Sequence, residues 1–249
     1  MTLPSSPDAL WLNVSPSFQR FDYKLLGCLV RHVEVAHWAY HQTPDEASSL
    51  EIAITLLHDY IKGQNRSIHL VGHGTAGLLG WLYARRYPNR VKSLTLLSVG
   101  VNPMLDWQSH YYSQLAMRPW GRQKVLAQMA ITLFGHQAQP LLNGWIALLE
   151  KDLAQSLSPH SLFRREDLCP GRVPVPLLAC GSTDDAIVTP EQLQGWKPWL
   201  KPEDRLWQCP GGRHFFHAVY PPLVANQILG FWGDTSFYGL PVVELEAVR

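Results

Sequence analysis

The sequence predicts an α/β protein: a mostly parallel sheet of about six strands, helices on both faces, and a block of helices inserted late as a lid. Three observations predict it. Short apolar runs rich in β-branched or aromatic residues recur along the chain, each is followed by a stretch of helical period, and strand signals vanish between residues 102 and 171. The 249 residues are 46% apolar and only 16% charged, against ~25% charged in an average soluble chain, so one large core is possible and disorder is excluded. The organisation expected is a core of residues 1–101 and 172–233, a lid at 102–171 and a tail at 234–249.

The candidate strands fall at residues 9–14, 33–40, 67–72, 91–99, 175–181 and 205–209. Between the second and third, residues 46–62 place Leu50, Ala53, Ile54, Leu57, Tyr60 and Ile61 three and four apart, which draws one apolar stripe on a helix. Residues 75–87 form the next helix, stopped by Pro88, because proline disfavours helical geometry in the residue before it. Helical stretches at 122–134 and 140–154 belong to the lid. Its rings, Trp107, Tyr111, Tyr112, Trp120, Phe134, Trp145 and Phe163, either face an apolar cavity or fill the lid's own core.

Charge excludes some functions. Lys plus Arg total 21 and Asp plus Glu 20, a net +1 with no long block of one sign, so no nucleic-acid partner is expected. No run reaches the ~18 apolar residues of a membrane span, and residues 1–7 lack the basic and apolar regions of a signal peptide, which predicts a cytoplasmic protein. Cys28, Cys169, Cys180 and Cys209 form no C-x-x-C pair and read as free thiols. The eleven histidines are dispersed, without a metal-binding motif, so neither metal nor cofactor is expected.

The informative stretch is residues 68–99, where a strand runs through Gly72-His73-Gly74-Thr75-Ala76-Gly77 straight into a helix. This resembles the nucleophile elbow of the α/β-hydrolase fold, G-x-S-x-G, whose small outer residues permit the tight bend that lifts the central side chain above the sheet. Gly72 and Ala76 keep that smallness, but the nucleophile position is Gly74, which has nothing to attack with. Thr75 stands one step further round the bend, so the resemblance leaves it a backbone N–H as an oxyanion donor rather than a nucleophilic hydroxyl. The letters also match the dinucleotide pattern G-x-G-x-x-G, yet the acidic residue expected about twenty positions on is absent.

The same resemblance extends to the other loops. After the first strand the family carries His-Gly ahead of a second oxyanion donor, whereas this chain reads Asn13-Val14-Ser15-Pro16-Ser17; Pro16 has no N–H, which leaves Ser15. Residues 173–190 resemble the strand and loop of the catalytic acid, with Asp185 favoured over Asp184, although both aspartates are also suited to capping the helix near Pro190. Residues 210–217 resemble the histidine loop, with His214 as base and His217, like His73, as a packing residue near the pocket. Two readings follow. One is a pseudoenzyme that binds a small apolar molecule or a protein partner in a lid pocket bordered by His73, Trp107, Tyr111 and Trp120; the other is an enzyme without a covalent intermediate, in which His214 and Asp185 activate water or a substrate proton.

Overall fold

Alternating side chains along the strands decide which face of the sheet each helix covers. The computed structural model describes residues 7–42, 45–46, 48–136, 138–160 and 168–233. Phe163 and the tail at 234–249 lie outside the described residues. In chain order the elements are β1 (Ala9–Asn13), α1 (Tyr23–Leu29), β2 (Val35–Ala39), α2 (Leu50–Lys62), β3 (Ile68–His73), α3 (Thr75–Arg86) and β4 (Val91–Leu97). Then come α4 (Trp107–Met117), α5 (Arg122–Phe134), α6 (Gln139–Gln155), β5 (Leu177–Ser182), α7 (Pro190–Gln194), β6 (Arg205–Cys209), α8 (Phe216–Val219) and α9 (Pro221–Phe231). The strands pair in the order β2-β1-β3-β4-β5-β6 and every pairing is parallel.

Leu10, Leu12, Leu70 and Leu94 pack with Ile54 and Leu57 of α2 and Leu79 of α3 on one face. Trp11, Val71, Leu97 and Leu178 point the other way, against Leu25 and Leu29 of α1 and Ile228 of α9. Both faces are covered, as an all-parallel sheet requires. A third cluster joins Tyr111 of α4, Met129 of α5 and Leu149 of α6 to Phe18, Ile187 and Phe215, which come from the loops at the strand ends.

All six strands lie where the sequence places them, with shifted ends. β4 stops at Leu97 instead of 99 because Ser98 adopts φ +50 and its hydroxyl donates to the His214 carbonyl at 2.9 Å. α2 begins at Leu50 instead of 46: Ser49 is its N-cap, accepting from the Ile52 N–H. Between β1 and β2 the chain forms a 3-10 turn, Pro16–Phe21, and then α1, neither marked by the sequence analysis. Seven residues are too few to draw a readable stripe.

The crossing from β3 to α3 depends on missing side chains. A Cβ on Gly72 would stand 2.6 Å from the Ala76 carbonyl group, and one on Gly77 would stand 2.6 Å from Val99 Cγ2 and 2.9 Å from the Gly72 oxygen. The dinucleotide-like letters therefore serve close packing of strand against helix.

Asp152 of α6 is fully buried and accepts from Trp107 Nε1 at 3.1 Å, Gln108 Nε2 at 3.3 Å and the Ser156 hydroxyl. Burial pushes its carboxyl up to about 7, with the three hydrogen bonds pulling the other way. The unfolded group titrates near 4, so the unfolded chain holds fewer protons in between and stability falls as pH rises from about 4 through 7. Asp152→Asn keeps an acceptor for Trp107 and Gln108. It is expected to raise the melting temperature at pH 8 by about 3 °C or more and to leave it nearly unchanged at pH 4, as read by calorimetry at both values.

Candidate functional site

Strand ends β1, β3, β4 and β5 converge on one edge of the sheet, and the loops leaving them bring together residues that are far apart in sequence. At the bend between β3 and α3, Gly74 has φ +52 and ψ −124, a left-handed backbone that glycine adopts without strain. A Cβ there would meet nothing within 4 Å. The elbow keeps its shape and has open space where the missing side chain would stand.

His214 lies 2% exposed beside this bend, and its Nδ1 is 3.0 Å from Asp185 Oδ2. Asp185 is buried too, and its Oδ1 accepts from the N–H groups of Ile187 at 2.8 Å and Val188 at 3.1 Å. Burial pushes its carboxyl up, but the charge and hydrogen bond of His214, with those two N–H groups, outweigh it and hold the carboxyl below its ordinary range. With Nδ1 donating to a carboxylate, Nε2 is the ring nitrogen left for a second partner.

Asp184 has a different task. Its Oδ1 accepts from the Ser182 hydroxyl at 2.6 Å and the Arg213 N–H at 2.7 Å, so it fixes the turn that carries the histidine, where Arg213 sits at φ +55. Asp185, not Asp184, pairs with His214.

Three imidazoles crowd behind the bend. The centroid of His73 lies 4.8 Å from His214 and 4.7 Å from His217. His73 Nε2 stands 2.8 Å from the His214 carbonyl, which only accepts, so that nitrogen carries the proton. Burial and the neighbouring His217 and His214 push its pKa well below the ordinary histidine range, so His73 is neutral. His217 Nε2 is 3.2 Å from Asp22 Oδ1, a second buried imidazole and carboxylate pair. Asp22 Oδ2 also accepts from Trp11 Nε1 at 3.0 Å and Asn13 Nδ2 at 3.2 Å.

The cavity at the elbow measures about 30 Å³ and is bordered by Asn13, Phe18, Asp22, Gly74, Asp106 and His214, among others. That is room for a water or two, each needing roughly 10–15 Å³ by this measure. At the elbow itself the space is too small for an apolar ligand, and Asp22 and Asp106 are among its lining residues. Trp107 and His73 line it as expected. Tyr111 does not; it is buried against Trp107 and Tyr112, within the cluster formed with α5 and α6. Trp120 is also elsewhere, half-buried between Arg118 and Lys124, whose cationic groups lie 4.3 and 4.5 Å from its ring.

Both expected oxyanion donors differ in outcome. Thr75 heads α3, where the first N–H groups have no acceptor within the helix, while its hydroxyl donates to Asp106 Oδ2 at 2.8 Å. Ser15 lines the cavity, but its N–H is taken by Asn13 Oδ1 at 3.0 Å. As an oxyanion donor Ser15 is corrected, because its proton is already committed to a turn closed by its own neighbour.

Sequence reasoning missed Asp22, Asp106 and His110. Asp106 caps α4, accepting from the Ser109 N–H at 2.8 Å, and the spacing Asp106-x-x-Ser109 is a signal that could have marked it. His110, one turn later, faces His214; burial and that imidazole lower its pKa. Among the described residues no group of three or more His, Cys, Asp or Glu could hold a metal ion, and no helix is long and apolar enough to cross a membrane.

Comparison with known proteins agrees with this fold. The family model for the alpha/beta hydrolase fold matches residues 62–143. An uncharacterized protein of Synechocystis sp. is 43% identical over 234 residues, covering 92% of both chains. One from Nostoc sp. is 43% identical over 225 residues, covering 90% of both. Among solved structures, a hydrolase from Pseudomonas aeruginosa superposes with a TM-score of 0.67 at 19% identity, over 90% of this chain and 89% of that one. The chain has the α/β-hydrolase fold.

Because the Asp185 carboxyl is held low, its stabilisation is present above pH ~4 and lost as pH falls through the native value. Asp185→Asn is therefore expected to cost about 2 kcal/mol or more at pH 7, and the gap should narrow at pH 3, measured by urea unfolding at both values.

Proposed function

We propose that this chain is a non-hydrolytic protein of the α/β-hydrolase fold, a pseudoenzyme that binds a small apolar molecule or a protein partner instead of forming an acyl-enzyme. The elbow cavity carries the reading. It offers Gly74 in place of a nucleophile, and the place where a developing oxyanion would need N–H donors is bordered by the carboxylates of Asp22 and Asp106. Groups that a hydrolase would turn toward substrate are bonded to one another: Thr75 to Asp106, Ser15 to Asn13, His73 to the His214 carbonyl. The rings of the lid support it as well, being packed against Phe18 and Phe215 over the elbow.

A second reading is favoured by the intact pair of His214 and Asp185 at 3.0 Å. In it, His214 Nε2 takes a proton from water held in the space that Gly74 leaves open. Under that reading His214→Ala abolishes whatever turnover the unaltered protein shows.

Gly74→Ser separates the proposal from a hydrolase that lacks one residue. The serine has room, at a strain cost of about 1–3 kcal/mol from the positive φ, so a folded variant with a modestly lowered melting temperature is expected. It should neither hydrolyse 4-nitrophenyl acetate above background nor take up a fluorophosphonate probe in intact-mass analysis. Stoichiometric labelling of Ser at 74 would sink the proposal.

A further inference from the structure

A second cavity lies on the far side of the histidine loop and shares no lining residue with the elbow. It measures about 320 Å³, within the range of small-molecule sites. Its walls include the rings of Phe21, Phe134, Trp145 and Phe215, with Leu133, Ala218 and Val219 completing the apolar part. The rings lie in nearly parallel planes: Phe134 and Phe215 are 7° apart at 5.3 Å, Phe134 and Trp145 19° at 4.3 Å, and Phe21 and Phe134 25° at 5.6 Å. Stacked on one another, these rings form a layered aromatic wall, a surface that suits a flat aromatic occupant laid against it.

The charges around it are uneven. Arg213 lines the cavity with a guanidinium whose one hydrogen bond among the described residues is long, 3.5 Å to the Thr132 carbonyl. Its backbone is held at φ +55, a strained conformation for a residue with a Cβ, by the bond from its N–H to Asp184. Gly135, at φ +81, makes way for it, since a Cβ there would stand 3.3 Å from Arg213 Nε. Asp184 also borders the cavity; its Oδ1 is occupied by Ser182 and the Arg213 N–H, and the charge of Arg213 is among the influences that hold its carboxyl low. Arg20 adds a second cation, 4.6 Å from the Trp145 ring and 5.1 Å from Phe21. Arg213 and Asp184 are the charged residues of the lining itself, and Arg20, against two of its rings, adds a further positive charge beside it.

We propose that this cavity binds a small planar aromatic carboxylate, its ring system laid against the wall that Phe21, Phe134 and Trp145 form and its carboxylate received by Arg213. The proposal rests on the binding reading given above and names the site and ligand class for it. A guanidinium with donors to spare accepts a carboxylate in a two-point fork, whereas a neutral aromatic alcohol leaves that fork unmatched.

The test is isothermal titration calorimetry with 2-naphthoate and its neutral counterpart 2-naphthylmethanol. The unaltered protein is expected to bind 2-naphthoate saturably and about tenfold or more tightly than the alcohol. Arg213→Gln should bring the two to similar affinity. Val219→Trp, at a position 58% exposed and therefore tolerant of a larger side chain, should fill the cavity and remove binding of both. If Arg213→Gln does not fold, Val219→Trp decides alone. No saturable binding, equal affinity for the two probes in the unaltered protein, or undiminished binding in Val219→Trp overturns the proposal. Such a failure with Gly74→Ser still unlabelled removes this ligand site and leaves the non-hydrolytic reading standing. Labelling of Gly74→Ser together with naphthoate binding removes that reading and leaves the site.

Discussion

Everything at the functional edge depends on β3 and α3 meeting backbone to backbone. Side chains at residues 72 and 77 would sit 2.6 Å from their neighbours, so only glycines let the helix settle onto the end of the strand. That approach requires a sharp reversal between them, and Gly74 supplies it with φ +52. The other loops are then built around the bend. Ser98, past the end of β4, and His73, at the end of β3, both donate to the carbonyl of His214. One oxygen thus fixes the base relative to the elbow, and Asp185 fixes the ring about it.

The bend, the His214 and Asp185 pair and the cavity beside them thus stand together at one edge of the sheet. Acyl transfer develops negative charge on a substrate oxygen, and preorganised donors facing that oxygen lower the barrier. Here Asp22 enters from the segment after β1 and Asp106 from the start of α4, and both residues line the same small space. Each is well satisfied in return, Asp22 by Trp11, Asn13 and His217 and Asp106 by Thr75 and Ser109. Most of these polar groups bond to one another, an arrangement suited to holding structure together in a buried setting.

Much of this was legible in the sequence because it is local. Strands such as Ile68–His73 announce themselves by buried β-branched runs, and the elbow by glycines at fixed offsets. Asp185 and His214 were legible through the loops that carry them. Asp22 was not, since its partner His217 lies 195 residues away and nothing near either residue marks the pair. Ser15 looked like a donor because a sequence displays N–H groups without showing which acceptor has taken them. Tyr111 and Trp120 looked like pocket walls because a sequence shows that a helical segment is rich in rings but not what those rings meet. The 3-10 turn Pro16–Phe21 and α1 escaped notice for lack of length, and with them Phe18 and Phe21, which cover the strand ends.

The span of the bonds at His214 has a consequence for how the molecule comes into being. Its carbonyl is tied to residues 116 and 141 positions earlier, and His217 to one 195 positions earlier. Closing loops of that size costs conformational entropy before any contact repays it, and chains rich in distant contacts fold slowly. While a ribosome is still making the last strand, the bend at Gly74 has no histidine loop to lean on and the apolar ends of β3 and β4 stay uncovered. The finished site is thus among the latest parts to assemble, and nascent chains are most exposed to aggregation just before residues 205–217 are complete.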